Sequence, residues 1–186
     1  MLSTPSKVGC EEYDMKSMLI LAAAALLLVA FAVSQSSAST TLTLKSDAFK
    51  DGATIPQVYS CDGKSISPQL SWSGAPVKTQ SFALTVFDPD ARGGAGFWHW
   101  VLYDVPADVT SLAVGVQHAG TEGANGRGDD KFTGPCPPPG DTPHHYVFTL
   151  YALDFTPKGD FDGPQLDDAI KDHVLAKAVL VGRFGR

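Results

Sequence analysis

The apolar pattern of this 186-residue sequence predicts an all-β-dominated fold of antiparallel strands in two packed sheets. Three observations carry the expectation. Polar and apolar residues alternate, or run apolar between turn residues, in six separate segments. The 18 Gly and 13 Pro punctuate the stretches between them. Only one segment has the 3.6-residue period of an amphipathic helix. With 44% hydrophobic and 18% charged residues, the chain can build one core but hardly two, so a single globular domain is expected.

Residues 1–38 stand apart from that domain. Lys16 precedes a 16-residue apolar run from Met18 to Val33, and small polar residues follow, with Ser36 and Ala38 placed for signal-peptidase cleavage. This predicts a signal peptide cut near Ala38, a mature domain over residues 39–186, and a secreted or periplasmic location. The alternative is a membrane anchor formed by an uncleaved signal, although the run falls short of the roughly 20 residues that span a bilayer. Met15, followed by Lys16, makes a better translation start than Met1, and Cys10 lacks the small-residue context of a lipoprotein cysteine.

The predicted strands are Thr41–Leu44, Gln69–Ser73, Ser81–Phe87, Trp100–Val105, Tyr146–Leu153 and Ala178–Phe184. SFALTVF and YVFTLYAL are apolar on both faces, as suits central strands covered on each side, whereas LSWS alternates like a strand with one wet face. Near the end, Pro164 suits a first helical position and Asp167 and Asp168 suit the positive helix start. Leu166, Ala169, Ile170, His173 and Val174 form the stripe of that helix. Gly115 to Gly140 reads as one long loop, and loops of that length are usually functional.

Composition limits the partners. The chain has a net charge of -6, and residues 39–186 keep 12 basic against 17 acidic side chains, net -5, so no basic surface answers a nucleic acid. A local pocket can still oppose the net field and take one small anion. Cys61 and Cys136 form an even pair in an exported chain. They are either a disulfide or two unpaired thiols, and no second cysteine lies near either at zinc-finger spacing.

Chemistry concentrates at three strand ends. Asp88-Pro89-Asp90 stops an apolar strand at two carboxylates, either as an ordinary acidic turn or as a site. Phe97-Trp98-His99-Trp100 sets one imidazole among large rings, and simple alternation places His99 on the face of Val101 and Tyr103. Gly134 to Gly140, GPCPPPG, is a proline-stiffened loop leading into His144-His145-Tyr146. Its amides can face a ligand at little ordering cost.

The ordered set DPDA, WHWV, GPCPPPG and HHY, with Cys61-Asp62-Gly63 and Ser67-Pro68 upstream, resembles the phosphatidylethanolamine-binding protein family, in particular its bacterial kinase-inhibitor-like branch. The resemblance spans about Leu42 to Phe184. It implies a β-sandwich with Greek-key connections and an anion pocket for phosphate, a carboxylate or a phospholipid headgroup. By the same resemblance Asp88, His99, Cys136, Pro137, Pro138, His144 and Tyr146 are the ligand-binding residues. Pro89, Asp90, Trp98 and Gly134 are structural neighbours, with Asp90 an acceptor for loop amides. Three positions depart from the family pattern: Arg92 follows DPDA, Cys136 replaces a small residue, and His145 stands where the family has an arginine.

Such a pocket needs donors, and two imidazoles, a tyrosine hydroxyl and loop amides supply them without a lysine cluster. Asp88 should repel a phosphate unless it keeps an imidazole cationic or shares a proton, so binding is expected to weaken between about pH 6 and 8, around the imidazole reference value of about 6.5. No cofactor or metal is expected, and catalysis is not: there is no nucleophile elbow and no HExxH. The alternatives are a module that inhibits a kinase or protease, and a metal-dependent enzyme using Asp88, His99 and His144. A protein partner and a homodimer are both compatible with the sequence. Arg127-Gly128-Asp129 is read as a coincidental tripeptide, and His118 and His173 receive no role.

Overall fold

The computed structural model describes residues 41–186, so the signal segment and the cleavage expected near Ala38 lie outside the described residues. Among the described residues the strands are β1 (Thr43–Lys45), β2 (Leu70–Ser73), β3 (Ser81–Asp88), β4 (Phe97–Pro106), β5 (Ser111–Leu112), β6 (Thr121–Gly123), β7 (His144–Leu153) and β8 (Val174–Phe184), with one helix, α1 (Gly163–Ile170), before the last strand. They form a three-stranded sheet, β1-β2-β5, and a five-stranded sheet, β6-β4-β3-β7-β8. Every pair is antiparallel. The chain leaves β3 through β4, β5 and β6 and returns to lay β7 against β3, a long-range return of the Greek-key kind.

The two sheets face each other across the main core. Leu44, Leu70, Trp72 and Leu112 of the small sheet meet Phe82, Leu84, Trp100, Leu102, Phe148, Leu150 and Leu180 of the large one. The opposite face of the large sheet carries a second cluster, with Ala83, Val101, Tyr103 and Leu153 under Leu166 and Ile170 of α1. β3 is therefore covered on both sides, which is why apolar residues occupy both of its faces.

α1 begins at a capping box. The Asp162 carboxylate accepts from the Gln165 amide at 2.9 Å and the Gln165 side chain accepts from the Asp162 amide at 3.0 Å. The helix stops at Ile170, earlier than the apolar stripe suggested. His173 is thus outside it, half exposed, with Nδ1 2.8 Å from Asp154 and its ring against Phe155. The long 115–140 connection contains β6, and β5 precedes it. At three and two residues, both strands are too short for a period-two signal.

One local irregularity positions the site. Between β3 and β4, Val86 faces Trp100 but Phe87 faces Trp98, so His99 is an extra residue, a β-bulge. The bulge overturns the face expected from alternation. Val101 and Tyr103 point into the second cluster, whereas the His99 ring sits on the main-core side, 5.0 Å from that of Tyr146. Trp98 goes the other way, packing 4.7 Å from Phe87 beneath α1. Gly163, the first residue of α1, lies so close that a Cβ there would fall 2.1 Å from the indole. Trp98 is therefore a neighbour in sequence and a structural support on the far face.

Candidate functional site

β3, β4 and β7 end together at one edge of the large sheet, and the register delivers Asp88, His99 and His144 to the same face there. These polar groups are almost fully enclosed, Asp88 2%, His99 5% and His144 6% exposed. Burial on this scale requires that each be satisfied.

Asp88 is saturated. Its Oδ1 accepts from the amides of Asp90 and Ala91 at 2.9 and 3.1 Å. Its Oδ2 accepts from His144 Nδ1 at 2.8 Å, and His99 Nε2 stands 3.9 Å from the same oxygen. Burial pushes the Asp88 carboxyl up, but the nearby His99 imidazole and the bonds from His144 and the Asp90 amide outweigh it and hold it below the usual carboxylate value. The carboxylate is ionised and organises its neighbours.

The partners fix the tautomers of both histidines. His99 Nδ1 lies 2.8 Å from the Thr133 carbonyl, which can only accept, so Nδ1 carries a proton. His144 Nδ1 faces the Asp88 carboxylate and carries one for the same reason. In each neutral ring Nε2 then has a lone pair and no hydrogen, and it becomes a donor only on protonation. For His144 the Nε2 atom is also 3.9 Å from Asp141 Oδ2, on an exposed side chain.

Asp88, His99 and His144 open on a cavity of about 340 Å³, walled further by Phe97, Cys136, Pro137 and Pro138 and by Arg92 and Arg127. A larger concavity, about 690 Å³, lies elsewhere between β1 and β8. Its wall mixes apolar residues with Thr43, Ser46, Asp51 and three lysines, Lys45, Lys50 and Lys177, and has no imidazole, so the smaller cavity is where the chemistry converges. Among the described residues no group of three His, Cys, Asp or Glu is disposed to hold a metal ion.

The proline wall is held from three sides. Cys136 is disulfide-bonded to Cys61, 75 positions away, with the Cα atoms 5.4 Å apart. The Gly134 amide donates to Ser65 Oγ at 2.8 Å, and a Cβ at Gly134 would meet the Tyr59 carbonyl at 2.3 Å, so only glycine passes there. Arg186, the last residue, donates from Nε to the Pro137 carbonyl at 2.6 Å and from a terminal nitrogen to Asp62 at 3.0 Å. Sequence reading had no signal for Ser65, Thr133 or Arg186, because each acts through a contact distant in the chain.

The remaining residues fall into place around this core. Tyr146 is 0% exposed and sits beneath His99 rather than on the cavity wall. Its hydroxyl is buried with no hydrogen-bond partner among the described residues. Burial, reinforced by the charge of Asp88, pushes that hydroxyl well above its ordinary value, so it is a neutral donor. Pro89 turns the chain after β3, and Asp90 then accepts from the His145 amide at 2.7 Å and from its Nδ1 at 2.8 Å. These bonds, the backbone one foremost, hold the Asp90 carboxyl below its usual value. Arg127, set aside in the sequence as part of a coincidental tripeptide, is on the cavity wall with Arg92.

Comparison with known proteins gives a consistent picture. A family model described as phosphatidylethanolamine-binding protein matches residues 45–185. The UPF0098 protein of Methanothermobacter thermautotrophicus is 40% identical over 153 residues, 78% of this chain and 99% of its own length. The UPF0098 protein YbcL of Escherichia coli is 48% identical over 103 residues, 51% of this chain and 56% of its own. The crystal structure of E. coli YbcL, described as a new member of the mammalian PEBP family, matches with a TM-score of 0.72 at 33% identity, covering 78% of this chain and 98% of that one.

Proposed function

The chain belongs to the phosphatidylethanolamine-binding protein family, in the branch that holds YbcL and the UPF0098 proteins, and from that membership and the cavity's donors we propose that it is an exported protein that binds a small phosphoryl or carboxylate anion. The observation that carries the reading is the pair of imidazoles whose Nδ1 protons are committed to acceptors, so that each meets a ligand through Nε2, which donates only when the ring is protonated. An anion completes the site by bringing that proton or by drawing it from solution. Family membership supports phosphoryl or headgroup chemistry only in general terms. The disulfide fits an oxidising, extracytoplasmic compartment.

Binding is favoured over catalysis by the composition of the wall. It carries no hydroxyl, and its one sulfur is already bonded to Cys61. Asp88 is already committed as an acceptor to His144 and to two amides, and is held ionised by them. Inhibition of a kinase or protease remains the second reading of the family resemblance, and no surface feature described above favours it.

Calorimetry with inorganic phosphate tests the proposal. At pH 6 binding is expected with net proton uptake, seen as a heat that changes between two buffers of unlike ionisation enthalpy. Affinity is expected to fall as the pH is raised to 8, by up to about tenfold per unit where one proton is fully linked. Absence of phosphate binding at millimolar concentration, or binding with no proton uptake and a flat pH profile, would overturn the reading.

A further inference from the structure

We propose that Arg92 and Arg127 form a second anion-recognition point at the mouth of this cavity, so that its preferred ligand is a phosphate ester bearing a second anionic group rather than one bearing an ammonium. The inference rests on the phosphoryl-binding reading of the histidine pair and adds to it the charge of the ligand's tail.

The two arginines come from separate turns that the structure ties together. Arg92 lies in the turn Ala91–Gly94 after β3, with a backbone φ of 54°. Its guanidinium sits 4.9 Å from the centre of the Phe97 ring and donates to the Gly126 carbonyl at 3.1 Å. That carbonyl belongs to the residue just before Arg127. The Arg127 turn is itself shaped by Asn125, whose side-chain oxygen accepts from the amides of Arg127 and Asp129 at 2.8 and 3.2 Å. Both arginines thus line the cavity that the imidazoles and the proline wall also line.

Neither guanidinium has a carboxylate partner among the described residues, in a chain with net charge -6. The nearby acids are engaged elsewhere. Asp88 is held by His144 and two amides, Asp90 by His145, and Asp129 lies 3.7 Å from Lys131. Asp141 is close to His144 but does not line the cavity. A ligand seated against the imidazoles therefore shares the cavity with two guanidiniums that have no carboxylate partner among the described residues. Their planar donors match a carboxylate or a second phosphoryl group and repel an ammonium.

The test compares two small phosphate esters that differ in tail charge, 2-phosphoglycolate and O-phosphoethanolamine, with inorganic phosphate alongside, by calorimetry on the mature protein at pH 6.5. Phosphoglycolate is expected to bind at least about tenfold more tightly than phosphoethanolamine. Arg127→Gln, on an exposed turn whose bonds come from main chain and Asn125, should remove much of that ratio. Adding Arg92→Asn, a residue type that tolerates positive φ, should remove the rest. Equal or reversed preference in the unmodified protein overturns the proposal, as does a ratio that survives the double substitution. Phosphate binding without the tail preference overturns this inference alone, whereas failure of all three ligands overturns the anion-site reading with it. Phosphatidylinositol 4-phosphate vesicles, whose headgroup carries two phosphoryl groups and no ammonium, separate the sources: Arg127-dependent co-sedimentation supports a lipid-borne ligand, and soluble-ester binding without it supports a free one.

Discussion

Asp88–His144 and Asp90–His145 are the same interaction made twice, two residues apart on one side and adjacent on the other. In both, a histidine Nδ1 lies 2.8 Å from a carboxylate oxygen. In the first the side chains are 8% and 3% exposed, and in the second 43% and 42%. Alternation along β7 accounts for this, since His144 points between the sheets and His145 to solvent. Geometry is therefore no guide to which pair forms a site. A third pair, Asp154–His173, repeats the 2.8 Å distance at another exposed edge. What separates Asp88–His144 is enclosure, because only there is a carboxylate also bonded to two amides and placed against a cavity.

The largest effect expected comes from opening that enclosure. The disulfide ties the Cys136 wall to Cys61, and closing a loop of 75 positions constrains the unfolded chain by on the order of 4 kcal/mol. Cys61→Ser with Cys136→Ser should lower the denaturation midpoint accordingly and weaken phosphate binding, while Asp90–His145, outside the wall, keeps its geometry. A doubly substituted protein with unchanged midpoint and phosphate affinity would refute the idea that the wall sets the difference between the two pairs.

Next in size is the contrast between the carboxylates. Asp88→Ala strands two amides and the His144 Nδ1 proton in a buried setting, with a cost of roughly 3 kcal/mol. Asp90→Ala removes bonds that water can replace and should cost about 1 kcal/mol or less. Urea denaturation of both variants measures the gap. Equal losses would show that burial does not distinguish the pairs.

The sequence carried the frame of this comparison but not its sides. The long strands β3, β4, β7 and β8 and the helix were legible because their apolar periods extend over enough residues to register, whereas β1 and β2 were legible only because alternation continues past their ends. The motifs placed Asp88, His99 and His144 at strand ends, and the family resemblance brought them together. The face of His99 was not legible. His99 is itself the inserted residue, between Trp98 and Trp100 and opposite Val86 and Phe87, which flips its side chain, and no residue pattern marks the bulge. Asp90 was expected to accept from loop amides. In the structure Asp88 does that, while Asp90 holds the amide and ring of His145. Arg127 illustrates the same limit. Its place at the cavity depends on a turn folded back by contacts to Trp98 and Arg92, so reading it within its own tripeptide could not reveal it.

The smallest effect lies in acid. Both carboxyls are held below their ordinary value, so each contributes stability that is present above the unfolded-state pKa of about 3.9 and is lost as pH falls through the lower folded value. The stability difference between the unmodified protein and Asp88→Asn should accordingly shrink as pH is lowered from about 4 toward 2. The smaller difference for Asp90→Asn should shrink over the same range. Salt then divides the two. In about 1 M NaCl the screening length falls to about 3 Å, which should diminish the exposed pair's contribution and leave the enclosed one largely intact. Thermal melts of the three proteins at pH 2 to 5, with and without salt, test this. A salt-sensitive Asp88 contribution would mean that water reaches the carboxylate, and with that the distinction between the two pairs would collapse.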